Sequence, residues 1–207
     1  YENMSVTLSE GNNWTYTWKD LPIAGGEYSV EEIPVLGYES DVKTSDWKST
    51  ITNEVQTGSL LIAKQVKGED DPKKKYHFTL KLLKEANEGA ETVSLNGTFG
   101  DVTFENGIAE FDVKAGSYVR VKGLPAGVYY TVQEDDYTKE GFNSPEYINQ
   151  NGIVAKDDSI MVTVTNTKAG AVRTGDDNNA QMWAILALLA LMGCVAPAMD
   201  LRRRRRA

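Results

Sequence analysis

Lys64, Glu134 and Asn166 lie far apart in the chain, yet together they carry the groups needed to make an amide. Each sits in a run where apolar and polar residues alternate. Side chains alternate across a strand, so residues two apart share a face. On that spacing Leu60, Ile62, Lys64 and Val66 point one way, as do Tyr130, Val132 and Glu134, and Val162, Val164 and Asn166. The three polar groups are thus directed to the apolar side of their strands. A lysine buried there is costly unless it is paired or neutralised. Burial lowers the pKa of an amine and raises that of a carboxyl. A neutral amine is a nucleophile. A protonated carboxyl polarises the Asn166 carbonyl and shuttles protons while ammonia leaves. The product is a Lys64–Asn166 isopeptide. The same trio also suits a buried Lys–Glu ion pair whose hydrogen bonds Asn166 completes. A one-residue slip in register would instead put Glu134 at the surface beside Asp135 and Asp136.

The elements that must position these groups read as strands. Alternation is visible over 5–8, 58–66, 76–82, 108–113 and 159–167. Turn signals stand between them at Gly11-Asn12-Asn13, Ala24-Gly25-Gly26, Glu105-Asn106-Gly107 and Asn151-Gly152. Asn106-Gly107 between two alternating runs predicts a hairpin. Only 81–90 tolerates a helix, and a strand followed by a charged loop explains it as well. The class is all-β, with short antiparallel strands packed as a sandwich.

An internal repeat organises the chain. Leu21-Pro22-Ile23-Ala24-Gly25-Gly26-Glu27-Tyr28-Ser29-Val30-Glu31-Glu32 matches Leu124-Pro125-Ala126-Gly127-Val128-Tyr129-Tyr130-Thr131-Val132-Gln133-Glu134. Each copy is followed by a Gly-aromatic pair, Gly37-Tyr38 or Gly141-Phe142, and by a closing strand, Thr50-Ile51-Thr52-Asn53 or Val162-Thr163-Val164-Thr165-Asn166. The second copy opens with Gly58-Ser59-Leu60-Leu61-Ile62-Ala63-Lys64, and the first has no such opening strand. Residues 1–55 therefore read as a truncated module and 58–168 as a complete one. These segments resemble the collagen-adhesin B-type (Cna-B) modules of Gram-positive surface proteins and pilins, and 28–38 resembles the pilin "E-box". The resemblance implies tandem prealbumin-like sandwiches, each with a self-formed Lys–Asn isopeptide assisted by a Glu. It assigns Lys64, Glu134 and Asn166 to that role in the second module, and Glu32 and Asn53 in the first. The lysine partner of Asn53 would lie upstream of Tyr1.

The C-terminus reads as an anchor. Residues 182–199 contain no charge and are long enough to span a hydrocarbon core as a helix. Five arginines at 202–206 favour the cytoplasmic face, which places everything before Thr174 outside the cell. The expected order is a linker over 169–181, a transmembrane helix over 182–201 and a basic tail over 202–207. Val172-Arg173-Thr174-Gly175, the apolar span and the basic tail together resemble the cell-wall sorting signal of Gram-positive bacteria. Its usual motif is Leu-Pro-x-Thr-Gly. Ala171-Val172 stand where Leu-Pro is usual, so only Arg173-Thr174-Gly175 match and the accepting sortase stays open. The resemblance implies attack by a sortase cysteine on the Thr174 carbonyl and transfer to cell-wall peptidoglycan or another pilin subunit. A plain membrane anchor is the alternative. An exported chain that begins at Tyr1 is expected to be the C-terminal part of a longer protein.

Composition narrows the function. The chain holds 22 basic and 30 acidic residues, net −8; residues 171–207 hold six basic and three acidic, which leaves 16 basic and 27 acidic, net −11, in the part before them. An acidic ectodomain argues against nucleic acid, which needs clustered Lys and Arg. The single cysteine, Cys194, lies in the apolar span, so no disulfide holds the exported part together. With one histidine, His77, and no metal-ligand cluster or phosphate loop, no cofactor, metal or enzymatic turnover is expected. Two classes remain. One is a wall-anchored structural stalk. The other is an adhesin whose modules bind a host surface ligand, with Trp14, Tyr16, Trp18 and Trp47 as contacts. The spacing of Trp14, Tyr16 and Trp18 on one strand face favours a core position instead. Lys73, Lys74 and Lys75 are candidate sortase acceptors, though a solvated charged loop explains them better.

Overall fold

The computed structural model describes residues 4–22, 27–68, 70–87 and 89–170. They fall into two units, one drawn from the residues up to 33 with 42–51, the other from 34–41 with those from 52 onward. Among the described residues of the first unit, the only regular piece before the strands is a 3-10 turn, Glu10–Asn12, whose start is closed by Ser9 N–H donating to Asn12 Oδ1 at 2.8 Å. Strands β1 (Tyr38–Ser45) and β2 (Lys48–Val55) pair as a hairpin. Asp46 and Trp47 at its tip have φ of 49° and 63°, the left-handed pair that a tight hairpin turn demands. The expected strand over 5–8 is irregular. Trp14, Tyr16 and Trp47 are 67%, 53% and 88% exposed, and Trp18 is half-buried. The core position expected for Trp14, Tyr16 and Trp18 is therefore corrected. Alternation buries side chains only when a second layer lies over them, and 4–22 supplies no strand to build one.

The second unit is all-β. Its strands are β3 (Thr57–Lys67), β4 (Lys75–Leu83), β5 (Gly97–Phe99), β6 (Val102–Phe104), β7 (Ile108–Lys114), β8 (Tyr118–Pro125), β9 (Tyr129–Glu134), β10 (Glu146–Ile148), β11 (Asn151–Ile153) and β12 (Ser159–Thr167). Two four-stranded sheets, ordered β10-β12-β3-β8 and β11-β9-β4-β7, enclose one core, and β5-β6 form a small ribbon beside them. Tyr76, Phe78, Leu80 and Leu82 of β4 face Leu60 and Ile62 of β3, Val121 and Leu124 of β8 and Val162 and Val164 of β12 across that core. Burial repeats every second residue along β4 and β9, as the pleat requires.

One pairing departs from the antiparallel expectation. β3 and β12, the first and last strands, run parallel over nine residues in register, with Val164 opposite Lys64 and Asn166 opposite Val66. Parallel neighbours cannot be joined by a tight turn. The whole of the intervening chain is the crossover, and periodicity carries no sign of strand direction. β3 is also buried on both faces, Leu61 and Ala63 being covered by Tyr118 and Met161. Among the described residues no helix is long and apolar enough to cross a membrane. The expected span over 182–201 and the Val172-Arg173-Thr174-Gly175 segment lie outside the described residues.

The hairpin expected at Asn106-Gly107 is present. Both residues have positive φ, 50° and 77°, and Glu105 and Ile108 exchange backbone hydrogen bonds of 2.9 and 3.0 Å around them. Asn151-Gly152, by contrast, belongs to β11, and the turn comes earlier, at Asn149 with φ 56°. A Cβ on Gly107 would lie 2.3 Å from the carbonyl oxygen of Val93, whereas one on Gly123, at φ 75°, would meet nothing within 4 Å. Gly123→Ala is expected to cost about 1 kcal/mol, the left-handed penalty alone. Gly107→Ala adds a backbone clash and is expected to cost at least twice that, read from denaturant midpoints at equal slope.

Candidate functional site: a buried amine, acid and carboxamide

Lys64 is held by its backbone before its side chain does anything. Its N–H donates to Ser117 O at 3.0 Å, and its carbonyl accepts from Gly116 N–H at 2.9 Å. On β3 its side chain continues the inward row of Leu60 and Ile62. Asn166 continues Val162 and Val164 on β12. With Val164 opposite Lys64 in the parallel register, Asn166 is the diagonal neighbour of Lys64 on the same face. Diagonal neighbours stand about 7–8 Å apart, within the reach of a lysine side chain. Glu134 comes from the other sheet. It closes β9 opposite Phe78, and its N–H donates to the Tyr147 hydroxyl at 3.0 Å.

The structure brings the three together in the core: Lys64 is 0%, Glu134 5% and Asn166 1% exposed. Lys64 Nζ lies 2.9 Å from Glu134 Oε1. That contact is close but poorly aligned. Neither Lys64 Nζ, nor either Glu134 oxygen, nor Asn166 Oδ1 has a well-angled hydrogen-bond partner among the described residues. Burial pushes the Lys64 amine below its usual value, and Glu134 only partly opposes that shift. Burial likewise pushes the Glu134 carboxyl up, against the pull of Lys64 and Asn166. Both directions favour the neutral pair, an amine and a carboxylic acid. The ring of Tyr76 completes the pocket, 4.5 Å from Lys64 Nζ to its centroid.

Sequence reasoning passed over Tyr76 and Tyr147. Tyr76 was accessible, because it starts the inward row that runs through Phe78, Leu80 and Leu82. Nothing local marks Tyr147, which reaches Glu134 from β10 in the opposite sheet. In the first unit Glu32 is half-buried on an irregular segment. Asn53, in the second unit, is exposed on β2. His77 faces outward and pairs with Asp112 at 3.1 Å. Lys74 is not a free loop lysine. It is paired with Glu140 and lies over the rings of Tyr137 and Tyr76, at 4.5 and 5.2 Å. Among the described residues no group of His, Cys, Asp and Glu is arranged to hold a metal.

Removing Lys64 isolates the acid. Burial then acts on Glu134 without a cation, and its pKa stays above the ordinary value of 4.5. The folded state holds that proton more tightly than the unfolded chain does. Stability is therefore full below the unfolded pKa and falls as pH rises toward the folded one, by ~1.4 kcal/mol for each unit of separation. Lys64→Ala is expected to melt lower at neutral pH than in mild acid, and adding Glu134→Gln should flatten that dependence.

Known families match two parts of the chain. Residues 1–54 match the Cna protein B-type domain, and residues 58–168 match a domain of unknown function, DUF7601. Among curated proteins the chain is similar to a pilin of Streptococcus pyogenes serotype M1, at 27% identity over 78% of this chain and 53% of the pilin. The chain thus spans about half the length of that relative. Among solved structures it is similar to the major pilin from Streptococcus pyogenes, with 20% identity, 67% of each chain covered and a TM-score of 0.45. A pilus-presented adhesin is similar at 24% identity over 55% of this chain and 27% of the adhesin, with a TM-score of 0.43. The resemblance to Gram-positive surface proteins and pilins with B-type modules, first read from motifs, is borne out by the B-type match and the pilin relative. By the match over 58–168, more than half of its length, the chain belongs to the DUF7601 family, with a B-type segment ahead of that domain.

Proposed function

We propose that the chain is the wall-proximal part of a pilin-type surface protein, a stalk whose 58–168 domain staples itself with a Lys64–Asn166 isopeptide. The observation that carries the reading is the meeting of Lys64, Glu134 and Asn166 in the core, with Lys64 Nζ, both Glu134 oxygens and Asn166 Oδ1 lacking aligned hydrogen bonds among the described residues. As separate charged groups they are expensive to bury. As an amide beside a neutral acid they carry no charge at all. The Lys64 amine attacks Asn166 Cγ, the Nζ–Cγ bond forms and the Cγ–Nδ2 bond breaks. The Glu134 acid gives its proton to the Asn166 amide and takes one back from the attacking amine, so it ends protonated and the expelled nitrogen leaves as ammonia.

The bridge joins the first and last strands of the domain. By analogy with a disulfide closing a loop of roughly 100 residues, it stabilises by about 4–5 kcal/mol through the unfolded state. Tension entering at β3 and leaving at β12 crosses the bridge directly, so residues between 64 and 166 carry none of it. The C-terminal segment supplies the anchor: a membrane span over 182–201, then sortase attack at Thr174 within Val172-Arg173-Thr174-Gly175, and transfer to cell-wall peptidoglycan or another pilin subunit. The exposed rings of Trp14, Tyr16 and Trp47 favour a second reading, in which the first unit also grips a host surface ligand.

Intact mass tests the bridge. The chain is expected to weigh one ammonia less than its sequence, and Lys64→Ala and Glu134→Ala are each expected to show the full calculated mass. Full mass in the unsubstituted chain sinks the reading. For the anchor, Thr174→Ala is expected to abolish release of the protein by wall-digesting enzymes while leaving it in the membrane fraction.

A further inference from the structure

Glu134 closes β9 at an edge where the sheet has run out. β11 covers β9 only over Asn151–Ile153, which lie opposite Thr131, Tyr130 and Tyr129. Val132 N–H is next along that edge and donates to Gln150 O at 2.9 Å. N–H groups two residues apart leave a strand from the same edge, so Glu134 N–H emerges beyond the last of these partners. Asp135 N–H, on the opposite edge, donates to His77 O at 3.1 Å. An unpaired donor in a buried residue is costly. Glu134 N–H is spared that by the Tyr147 hydroxyl, to which it donates at 3.0 Å.

Tyr147 is itself held by its strand. On β10 it stands opposite Val164 of β12, which stands opposite Lys64 of β3. Residues directly opposite share a face of the sheet, so Tyr147, Val164 and Lys64 make one row on the core side. The phenol reaches from that row to the other sheet. Its bond joins the sheet of Lys64 and Asn166 to the strand of the acid. The carboxyl has no such hold of its own. Its contact with Lys64 Nζ at 2.9 Å is poorly aligned, and neither oxygen has an aligned partner among the described residues. Its placement therefore comes from the Glu134 backbone. Glu134 and Tyr147 also line a surface cavity of about 480 Å³, together with residues such as Gln133, Asp135 and Gln150. Burial pushes the Tyr147 phenol above its usual value, which keeps it a neutral hydroxyl.

We propose that Tyr147 is a positioning residue for the condensation: its hydroxyl fixes the end of β9 and so holds the Glu134 acid against the Lys64 amine and the Asn166 amide. The proposal rests on the isopeptide reading. Tyr147 exchanges no proton with the reacting groups and acts through the Glu134 backbone. Without the hydroxyl the end of β9 is free to move toward the cavity, and the acid moves with it. Phenylalanine keeps the ring and removes the hydroxyl alone. Tyr137 supplies a matched comparison, since its hydroxyl accepts from His77 N–H at 2.8 Å, the same kind of bond made to β4.

The test is cell-free synthesis of the full chain, stopped at timed intervals and followed by intact mass. Tyr147→Phe is expected to lose ammonia roughly tenfold more slowly, and Tyr137→Phe to run close to the unsubstituted rate. A second readout uses the Lys64→Ala background, where no bridge can form. There both substitutions are expected to lower the melting temperature by a similar few degrees. Only Tyr147→Phe is expected to shrink the gap between melting in mild acid and at neutral pH, because an acid displaced toward the cavity returns toward its ordinary 4.5. The titratable groups coupled to that acid are Lys64, Asp135, Tyr76, Tyr137 and Tyr147, and the background removes only the first. Ammonia loss by the unsubstituted chain with no slowing in Tyr147→Phe overturns the positioning role alone. So does equal slowing in both variants, an unchanged gap in Tyr147→Phe, or failure of Tyr147→Phe to fold in the Lys64→Ala background, since the hydroxyl would then serve the fold rather than the acid. An unsubstituted chain that never loses ammonia overturns the positioning role and the isopeptide together.

Discussion

An amine in an apolar interior is the constraint around which the 58–168 domain is arranged. Lys64 is fully buried. Such a group must shed its proton, pair with an anion or react. Glu134 answers the second need at 2.9 Å, yet from a position where both partners are driven toward their neutral forms. An ion pair kept for stability would be better served by aligned hydrogen bonds on all its oxygens, and these are missing. The arrangement suits a transient proton donor and acceptor more than a permanent pair.

Placing the three groups takes both sheets. Lys64 and Asn166 share one sheet because β3 and β12 are parallel neighbours, and Glu134 approaches from the other because β9 is paired to β4. The parallel pairing has a mechanical consequence. Pulling two parallel neighbours by opposite ends loads their hydrogen bonds in shear. It also has a folding consequence, since β3 and β12 pair only after the most distant parts of the domain have met, and contacts of such long sequence separation form slowly.

How far this was legible in the sequence depended on whether the cause was local. Alternation over 58–66, 76–82, 108–113 and 159–167 reports the pleat of single strands, and those runs are strands. Asn106-Gly107 states its own turn, because few other pairs accept two positive φ values in succession. Inward facing of Lys64, Glu134 and Asn166 followed from the same period. Strand direction left no trace, since parity is the same whichever way a neighbour runs. Asn151-Gly152 misled because the chain had already turned at Asn149. Trp14, Tyr16 and Trp18 misled because their spacing describes a strand that does not form.

The repeated motif stands in two different surroundings among the described residues. Leu-Pro, an aromatic, a valine and a glutamate recur in both halves, and each half ends in Thr-Asn. In 58–168 the glutamate closes a strand that packs against β4, and the asparagine lies beneath a second sheet. In the earlier copy Glu32 is half-buried on an irregular segment and Asn53 is exposed on β2. The two sheets bury the Lys64 amine, hold it at the diagonal from Asn166 and set the Glu134 acid across the gap.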